Sequence, residues 1–481
     1  MLPKVAELIA ALPDLDEDLD EPPRREPLQE MLAGLAERPV PTSAARRLWA
    51  LGGLQAQVAL AYLAYWVRTW FVDADQRARE LGEAHLRAAL KMLATMGYLR
   101  GAVMKLGQAL ANLPEIVPDE IVGTLERLHF EAPPMHFALL RELVDNELGC
   151  EPERAFDSFE TKAFAAASLG QVHRAVLRSG QEVAVKVQYP GIGASIRSDF
   201  RNLSTLLSPL RLTSAWESLK GQFEDVCRIV ECETDYEKEA ESLRLSRALF
   251  REDDGVIVPR VYDEYSTRRV LTMEYLDGLH MHDFLADQPP QELRDHFGAM
   301  IYLACSRLYF SGKLLYGDPH PGNYLFMADG RLGMIDLGCV RPYSDREWTC
   351  CRCLDDAMHG GREEMERAAR EMTGLAEGEN LDSEHLALIE NWCWWVWRPY
   401  HQHGPFDFGN EAFLREGVSI FYKLLSKRYT RGIPMTVFST RWHFGVVALL
   451  LRLRARVDVR AIYERESVAT GWNMPERHAA K

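Results

Sequence analysis

One lysine lies inside an apolar segment that is typical of a β-strand. Residues 182–187 read Glu-Val-Ala-Val-Lys-Val, and the lysine of this string is Lys186. An earlier apolar run, residues 172–177, is separated from it by Ser179-Gly180, and this pattern predicts a β-hairpin. A charged amine in an apolar strand needs anionic partners, because an unpaired buried charge is strongly unfavourable. We therefore expect a fold that brings carboxylates, or the phosphates of a ligand, to Lys186.

Acidic and amide residues that could serve a phosphate site follow further along the chain. Asp318 and Asn323 begin and end an Asp-Pro-His-Pro-Gly-Asn loop with the spacing D-x-x-x-x-N, and Asp336 follows an apolar run and precedes Leu-Gly. Protein kinases have the same motifs in the same order: a strand lysine for the α and β phosphates, a loop aspartate for the substrate hydroxyl, and an asparagine and an aspartate for magnesium.

Magnesium prefers oxygen ligands and usually bridges a few protein oxygens to phosphates, so one aspartate and one asparagine are sufficient. Each residue alone has a structural alternative, namely a strand-edge lysine, a turn aspartate or a helix cap. The kinase order of all the motifs favours a site for ATP and Mg²⁺. It predicts Lys186 and Asp318 as catalytic residues, and Asn323 and Asp336 as metal ligands.

The chain resembles the UbiB/AarF family of atypical kinase-like proteins over roughly residues 95 to 345. The motifs that carry the resemblance are Lys-Leu-Gly-Gln at 105–108, Ala-Ala-Ala-Ser-Leu-Gly-Gln-Val-His at 165–173, Glu-Thr-Asp-Tyr at 233–236 with Glu-Ala at 239–240, and the Asp-Pro-His-Pro-Gly-Asn loop. The resemblance implies a nucleotide-binding kinase-like domain linked to ubiquinone and other isoprenoid-lipid pathways.

The resemblance also implies roles for a small-residue turn that replaces the glycine-rich loop of ordinary kinases. Its methyl groups narrow the choice of backbone angles, so this turn should be stiffer, should alter nucleotide preference and should suppress protein-kinase activity. Residues 256–261 and 269–274 are predicted as two further strands, and Glu274 and Tyr275, at the end of the second, are also candidates for nucleotide contact. The predicted cofactor-binding residues are Ala165, Ala166, Ala167, Ser168, Lys186, Glu239, Glu274 and Tyr275.

A helix that carries Lys105 and Gln108 is implied to lie across the nucleotide cleft. In the family this pair meets the Glu-x-Asp pair, here Glu233 and Asp235, and the helix covers the channel for peptide substrates. Glu239, on the long acidic helix predicted over about residues 216–251, is the natural partner of Lys186. Gly317 precedes Asp318 where many kinases have an arginine, so activation by loop phosphorylation is not expected.

Bulk composition restricts the class of protein. With 481 residues, 47% hydrophobic and 26% charged, the chain is typical of a globular protein of two lobes or domains. A net charge of −15 argues against nucleic-acid binding, and nine scattered cysteines are read as reduced thiols. The acidic N-terminus favours neither a secretory signal nor a mitochondrial transit peptide, so we expect a bacterial cytoplasmic protein that can lie peripherally on the inner face of the plasma membrane.

The order of elements predicts an α+β, protein-kinase-like bilobal fold with a small mixed N-lobe and a larger helical C-lobe. The expected divisions are an acidic linker and amphipathic helix (1–75), a helical extension that covers the cleft (76–148), the N-lobe (149–278) and the C-lobe (279–481). Residues 49–67 could pack as a helix, lie on a membrane surface or span a membrane. The tryptophan-rich run 392–397 could pack in the core of a C-terminal helix, line a quinone or lipid pocket, or rest at a bilayer interface.

The sequence favours an atypical kinase or ATPase that acts on or near a small isoprenoid lipid. One alternative is a nucleotide-binding pseudoenzyme that switches a lipid-binding or scaffolding surface. A second is a protein kinase, which the covered substrate channel disfavours. The candidate partners are a nucleotide, an isoprenoid lipid or quinone precursor, the membrane surface and a second copy of the chain.

Overall fold

The computed structural model describes residues 137–167, 169–190, 234–373, 381–426 and 435–469. The predicted helices at 49–67 and around Lys105 and Gln108 lie outside these ranges, as does the divide at residue 75. The predicted domain boundaries stay predictions, and the fold is described for these ranges alone.

The first described part of the chain combines helices with an antiparallel sheet. Its elements are α1 (Phe137–Leu148), α2 (Pro152–Ala155), β1 (Ser158–Phe159), β2 (Ala165–Ala167), β3 (Gly170–Val176), β4 (Glu182–Gln188), α3 (Tyr236–Arg247), β5 (Val256–Ile257) and β6 (Val270–Glu274). The five-stranded sheet has the order β1-β3-β4-β6, and β2 also pairs with β3. The predicted hairpin is confirmed as β3 and β4, and Gly180 in its turn has the positive φ of 90° that favours glycine.

Strand β4 uses its two faces differently. The valines at 183, 185 and 187 pack in a cluster with Leu140 and Val144 of α1. Ala184 lies on the opposite face, in the larger cluster that contains Leu243 of α3. Successive side chains of a strand point to opposite faces, so Lys186 is directed with Ala184 towards α3.

Two predicted elements differ in length from the sequence expectation. The strand predicted at 256–261 is only Val256–Ile257, because Pro259 has no backbone N–H to donate to a ladder, and Val261 forms an isolated bridge with Met273. The helix predicted to run to Arg251 ends at Arg247, and a short 3₁₀ turn follows at Glu252–Asp254.

The remaining described part is mostly helical. Its elements are α4 (Met281–Ala286), α5 (Gln291–Phe310), β7 (Leu314–Tyr316), β8 (Tyr324–Phe326), β9 (Leu332–Met334), β10 (Val340–Pro342), α6 (Asp345–His359), α7 (Arg362–Thr373), α8 (Ser383–His401), β11 (Phe406–Asp407), α9 (Glu411–Ser426), α10 (Met435–Leu453), β12 (Arg456–Val457) and α11 (Val459–Ala469). Three small sheets, β5-β9-β8, β7-β10 and β11-β12, connect the helices. A mixed lobe followed by a larger helical one confirms the predicted bilobal α+β fold.

Helix α8 carries the tryptophan-rich run. Trp392 and Trp395 are buried in the C-lobe core, where Trp395 Nε1 donates to the carbonyl of Phe413 at 2.7 Å. Trp394 is 49% exposed and stacks on His401. Core packing is thus confirmed for two tryptophans of the run. Over the described ranges, every helix falls short of the length and apolar character that a membrane crossing requires.

Candidate functional site

Lys186 lies between two carboxylates that come from distant parts of the chain. Its Nζ donates to both oxygens of Glu239, at 2.8 and 2.9 Å, and to Oδ2 of Asp336 at 3.2 Å. The Lys186 and Glu239 side chains are 8% and 2% exposed, whereas that of Asp336 is 33% exposed. Glu239 therefore anchors the lysine from the interior, and Asp336 contacts it from the solvent side.

The electrostatic surroundings keep the amine charged. Burial alone lowers the pKa of Lys186, but the negative charges of Asp336 and Glu239 outweigh it, and the pKa lies well above its ordinary value. Tyr236, the first residue of α3, places its ring 5.1 Å from Nζ. This cation–π contact adds a further stabilising interaction to the ammonium group. Lys186 is thus available as a fixed positive charge for an anionic ligand.

Asp336 follows β9 and is held by its own loop. The backbone N–H of Gly338 donates to Asp336 Oδ1 at 3.1 Å, which leaves Oδ2 as the oxygen that faces Lys186. The neighbouring residue Ile335 donates its N–H to the carbonyl of Asn323 at 3.0 Å, just beyond the pairing of β8 with β9. This bond joins the segment of Asp336 to the end of the Asp318–Asn323 loop.

The loop itself is closed by short hydrogen bonds. Asn323 Nδ2 donates to the carbonyl of Asp318 at 2.9 Å, and the N–H of His320 donates to the same oxygen at 2.8 Å. A 3₁₀ turn at Pro321–Asn323 follows, where Gly322 donates to His320 Nδ1 at 3.1 Å. The side chains of Asp318 and Asn323 are half-buried. The structure therefore brings Lys186, Glu239 and Asp336 into direct side-chain contact, and backbone carbonyls join the Asp318–Asn323 loop to the segment of Asp336. The predicted roles of these five residues stay predictions.

The donor set fits a divalent cation with oxygen preference. Because Asn323 Nδ2 is directed to protein acceptors, the amide oxygen is the atom left for a cation, and within the described ranges it accepts no hydrogen bond. No cluster of three or more His, Cys, Asp or Glu side chains suited to a metal occurs among the described residues. One carboxylate and one amide match Mg²⁺, which completes its coordination with phosphates and water, better than Zn²⁺ or Ca²⁺.

Buried polar side chains lie next to Asn323. The hydroxyl oxygen of Tyr316, at the end of β7, lies 3.5 Å from Asn323 Nδ2. The hydroxyl oxygen of Tyr324 lies 3.6 Å from Cys305 Sγ. Burial raises the pKa of Tyr316 well above its ordinary value and that of Cys305 to about 12. These groups stay protonated at neutral pH, so they act here through hydrogen bonds rather than charge.

The alanine-rich turn forms strand β2, which pairs with β3 through Ala165 opposite Val172 and Ala167 opposite Gly170. A Cβ at Gly170 would lie 2.2 Å from the carbonyl oxygen of Val187, so only glycine lets β3 approach β4 this closely. Ala166 pairs through its backbone with Gln171. Ser168 lies outside the described residues.

Tyr275 and Glu274 end the sheet next to this turn. The Tyr275 ring meets Phe164, the residue before β2, edge-on at 5.8 Å, and the Arg174 guanidinium lies 4.3 Å from its centroid. Glu274 Oε2 accepts from the N–H of Arg260 at 3.1 Å. The structure thus brings Tyr275, but not the Glu274 carboxylate, to the face of the alanine-rich turn.

Asp235 occupies the N-cap position of α3. Its Oδ2 lies 3.5 Å from Arg268 Nε, and its buried Oδ1 has no hydrogen-bond partner among the residues that the structure describes. The residues predicted to join it, Lys105, Gln108 and Glu233, lie outside the described ranges. Their predicted meeting with Asp235 therefore stays a prediction.

Three residues near the site were not found by sequence reasoning. Tyr236 lies within a quoted motif, Glu-Thr-Asp-Tyr, and an aromatic residue three positions before Glu239 was the available signal. Phe164 is 50% exposed beside the alanine-rich turn, and Gly445 of α10 meets Pro319 of the Asp318–Asn323 loop. No local pattern singles out these last two.

Comparison with known proteins gives consistent results. Residues 127–369 match the family described as the ABC1 atypical kinase-like domain. The chain is 27% identical over 435 residues to the zebrafish (Danio rerio) "Atypical kinase COQ8B, mitochondrial", covering 89% of this chain and 69% of that protein. It is 29% identical over 436 residues to "Atypical kinase COQ8, mitochondrial" of Schizosaccharomyces pombe, covering 89% and 70%. A solved structure, the Rv3197–erythromycin complex from Mycobacterium tuberculosis, aligns with a TM-score of 0.54 and 26% identity over 83% of this chain and all of that one.

Proposed function

The chain belongs to the ABC1 atypical kinase-like family, and from that premise we propose that it binds ATP with Mg²⁺ and transfers or releases the terminal phosphate. One observation carries the proposal: the ammonium of Lys186 contacts Glu239 inside the protein and Asp336 at the solvent side, at 2.8 and 3.2 Å. This is the lysine arrangement that active kinases need for the α and β phosphates.

Each residue has a separate task in this proposal. Lys186 neutralises phosphate charge, and Glu239 fixes the position of that ammonium. Asn323 and Asp336 would hold the cation, which supplies charge neutralisation across the phosphates when it is bound. Asp318, whose carbonyl oxygen accepts from both Asn323 and His320, is oriented by its own loop to receive the proton of an acceptor hydroxyl or to position water.

We extend the proposal to the acceptor, a small isoprenoid lipid or quinone precursor at a membrane surface. The resemblance to the UbiB/AarF family and the COQ8 names of the relatives support this class of acceptor. The alanine-rich strand β2 is consistent with a preference for small acceptors over protein side chains, because alanine lacks the backbone freedom of a glycine-rich loop.

A thermal-shift titration with ATP, ADP and Mg²⁺ tests the binding part. A ligand at 100 times its Kd stabilises the folded state by about 2.7 kcal/mol, which raises the melting temperature. Asp336→Ala should lose the Mg²⁺-dependent part of the shift. Asp253→Ala is the matched control, because that carboxylate is exposed and makes no hydrogen bond or ion pair with the described residues. Equal shifts in Asp336→Ala and wild type would contradict the metal assignment.

Single-turnover loss of the γ-phosphate, with and without detergent or a quinone analogue, tests the transfer part. The expected result is turnover in wild type and its loss in Asp318→Asn with nucleotide binding retained. Binding without turnover in wild type would favour the alternative, a nucleotide-controlled switch of a lipid-binding surface. The absence of both binding and turnover would refute the proposed function.

A further inference from the structure

Helix α10 approaches the Asp318–Asn323 loop at a glycine. A Cβ placed on Gly445 would lie 2.4 Å from Pro319 Cγ, 3.3 Å from Pro319 Cδ and 3.2 Å from the Pro319 carbonyl oxygen. Real Cβ atoms essentially never come within 3.0 Å of another heavy atom, so only glycine allows this approach. The helix backbone is therefore in direct contact with the residue that follows Asp318.

The loop cannot absorb a shift at Pro319 by a side-chain rotation. A proline ring is closed onto its own backbone nitrogen, so a change of ring pucker moves Cγ only slightly, and any larger displacement of the ring moves the main chain. On either side of Pro319, the carbonyl of Asp318 accepts two hydrogen bonds and the N–H of His320 donates one of them. A displacement of the ring is thus transmitted to Asp318.

The helix is anchored more firmly than the loop. Phe444, Leu449 and Leu450 of α10 are buried at 1%, 1% and 0% exposure, and Phe444 packs 5.2 Å from the ring of Trp395. Moving α10 would open cavities in this core, which is costly. In the loop Pro319 is buried, but the side chains of Asp318, His320 and Asn323 around it are only half-buried. A crowded contact would therefore be relieved by the loop.

We propose that α10 is a rigid support for the Asp318–Asn323 loop and that Gly445 is a positioning residue for Asp318. The catalytic meaning of that position rests on the proposed function, whereas the placement of the loop does not. Gly445 lies beyond residue 369, where the match to the family ends, so the family motifs do not include this support.

Gly445→Ala tests the proposal, and Gly298→Ala is its matched control. Both glycines lie inside long helices, and a Cβ on Gly298 would also meet a neighbour at 2.4 Å, namely Ala455 Cβ. Its other nearest atoms, in Leu450 and Val457, lie outside the Asp318–Asn323 loop as well. Amide hydrogen exchange is measured over residues 316–324. Exchange there should accelerate about tenfold or more in Gly445→Ala and stay at the wild-type rate in Gly298→Ala.

Two further readouts connect the loop to the chemistry. Single-turnover γ-phosphate loss should fall about 10- to 100-fold in Gly445→Ala, because a small misplacement of a reacting group has an effect of this order, while the Mg²⁺-nucleotide shift is retained. Pro319→Ala removes the two ring atoms that the new methyl group meets. In the double variant Pro319→Ala/Gly445→Ala, amide exchange of the loop should therefore be slower than the summed effects of the two single substitutions would give.

Each failure has a distinct meaning. Unchanged loop exchange in Gly445→Ala, or an equal acceleration in Gly298→Ala, would overturn the positioning role. Wild-type protein that neither binds nor turns over nucleotide would refute the proposed function. Hydrogen exchange of the loop would still test whether α10 supports the Asp318–Asn323 loop. If Gly445→Ala does not fold, the proposal requires the double variant to fold. If the double variant also fails to fold, a contact other than that between residues 445 and 319 causes the misfolding, and the proposal is overturned.

Discussion

Replacing Lys186 by methionine should destabilise the fold strongly, even before any ligand is considered. The substitution keeps most of the side-chain length, so little cavity is created. It leaves the Glu239 carboxylate, 2% exposed, without the ammonium that now contacts both of its oxygens at 2.8 and 2.9 Å. Breaking one side of a buried ion pair typically costs about 3–5 kcal/mol.

The companion substitutions separate charge burial from packing. Glu239→Leu alone should cost less, about 1–3 kcal/mol, because Lys186 keeps Asp336 at 3.2 Å on the solvent side. Lys186→Met/Glu239→Leu should recover most of the loss, because replacing a buried pair by apolar groups of similar volume is often neutral or stabilising. The double variant should nevertheless fail to bind nucleotide.

Urea denaturation gives the free energy of unfolding of each variant from its midpoint and slope. Lys238→Met is the control, because Lys238 is the exposed neighbour of Glu239 on α3, and its loss should change the free energy by less than about 0.5 kcal/mol. A cost below about 1 kcal/mol for Lys186→Met would mean that water reaches the pair. A double variant as unstable as Lys186→Met would show that packing, not charge, explains the loss. Either result would refute the reasoning.

Three other perturbations have expected outcomes. Gly170→Ala should lower the free energy of unfolding by about 1–3 kcal/mol, because its Cβ would lie 2.2 Å from the Val187 carbonyl oxygen, and a urea midpoint equal to that of wild type would contradict the close strand approach. Burial lowers the pKa of His173, so the unfolded state binds more protons than the folded state, and the free energy of unfolding falls as pH drops below about 6.5. In urea titrations, His173→Gln should lose less of this free energy between pH 7 and pH 5 than wild type does. Burial raises the pKa of Asp355 to about 7, so the folded state binds more protons than the unfolded state, and the free energy of unfolding declines as pH rises towards 7. Asp355→Asn should therefore be more stable than wild type above pH 7, by on the order of 1–2 kcal/mol. Thermal unfolding at pH 5 and pH 8 measures the difference.

Much of the site could be predicted because its residues carry local signals. The alternation of β4 fixes which face Lys186 shares with Ala184, and an amine on an apolar face needs carboxylates. The resemblance to the UbiB/AarF family and the kinase lysine–glutamate pair then indicated Glu239, and the kinase order of the motifs indicated Asp336 as a metal ligand, although Asp336 is 150 residues away from Lys186 in sequence. A charged group in an apolar segment is thus informative about its partners at long range.

The parts that could not be predicted depend on tertiary packing. Nothing near Gly445 in sequence reveals that its missing side chain leaves room for Pro319. The exposure of Trp394 beside the buried Trp392 and Trp395 follows from how α8 is rotated in the core, which a dense aromatic run does not specify. The shortened strand at Val256–Ile257 could have been found, since the proline at 259 is visible in the sequence.

Under the proposed function, the unequal exposure of the two carboxylates gives Lys186 one partner that fixes it and one that a ligand can reach. Glu239 is enclosed, so no ligand can replace it without exposing the core, whereas Asp336 is 33% exposed and can exchange its contact with Lys186 for a cation. A cation on Asp336 would place positive charge beside the ammonium, which phosphates between the two would compensate. Cation and phosphates should therefore each favour the binding of the other, because either one alone leaves an unbalanced charge at the edge of the buried pair.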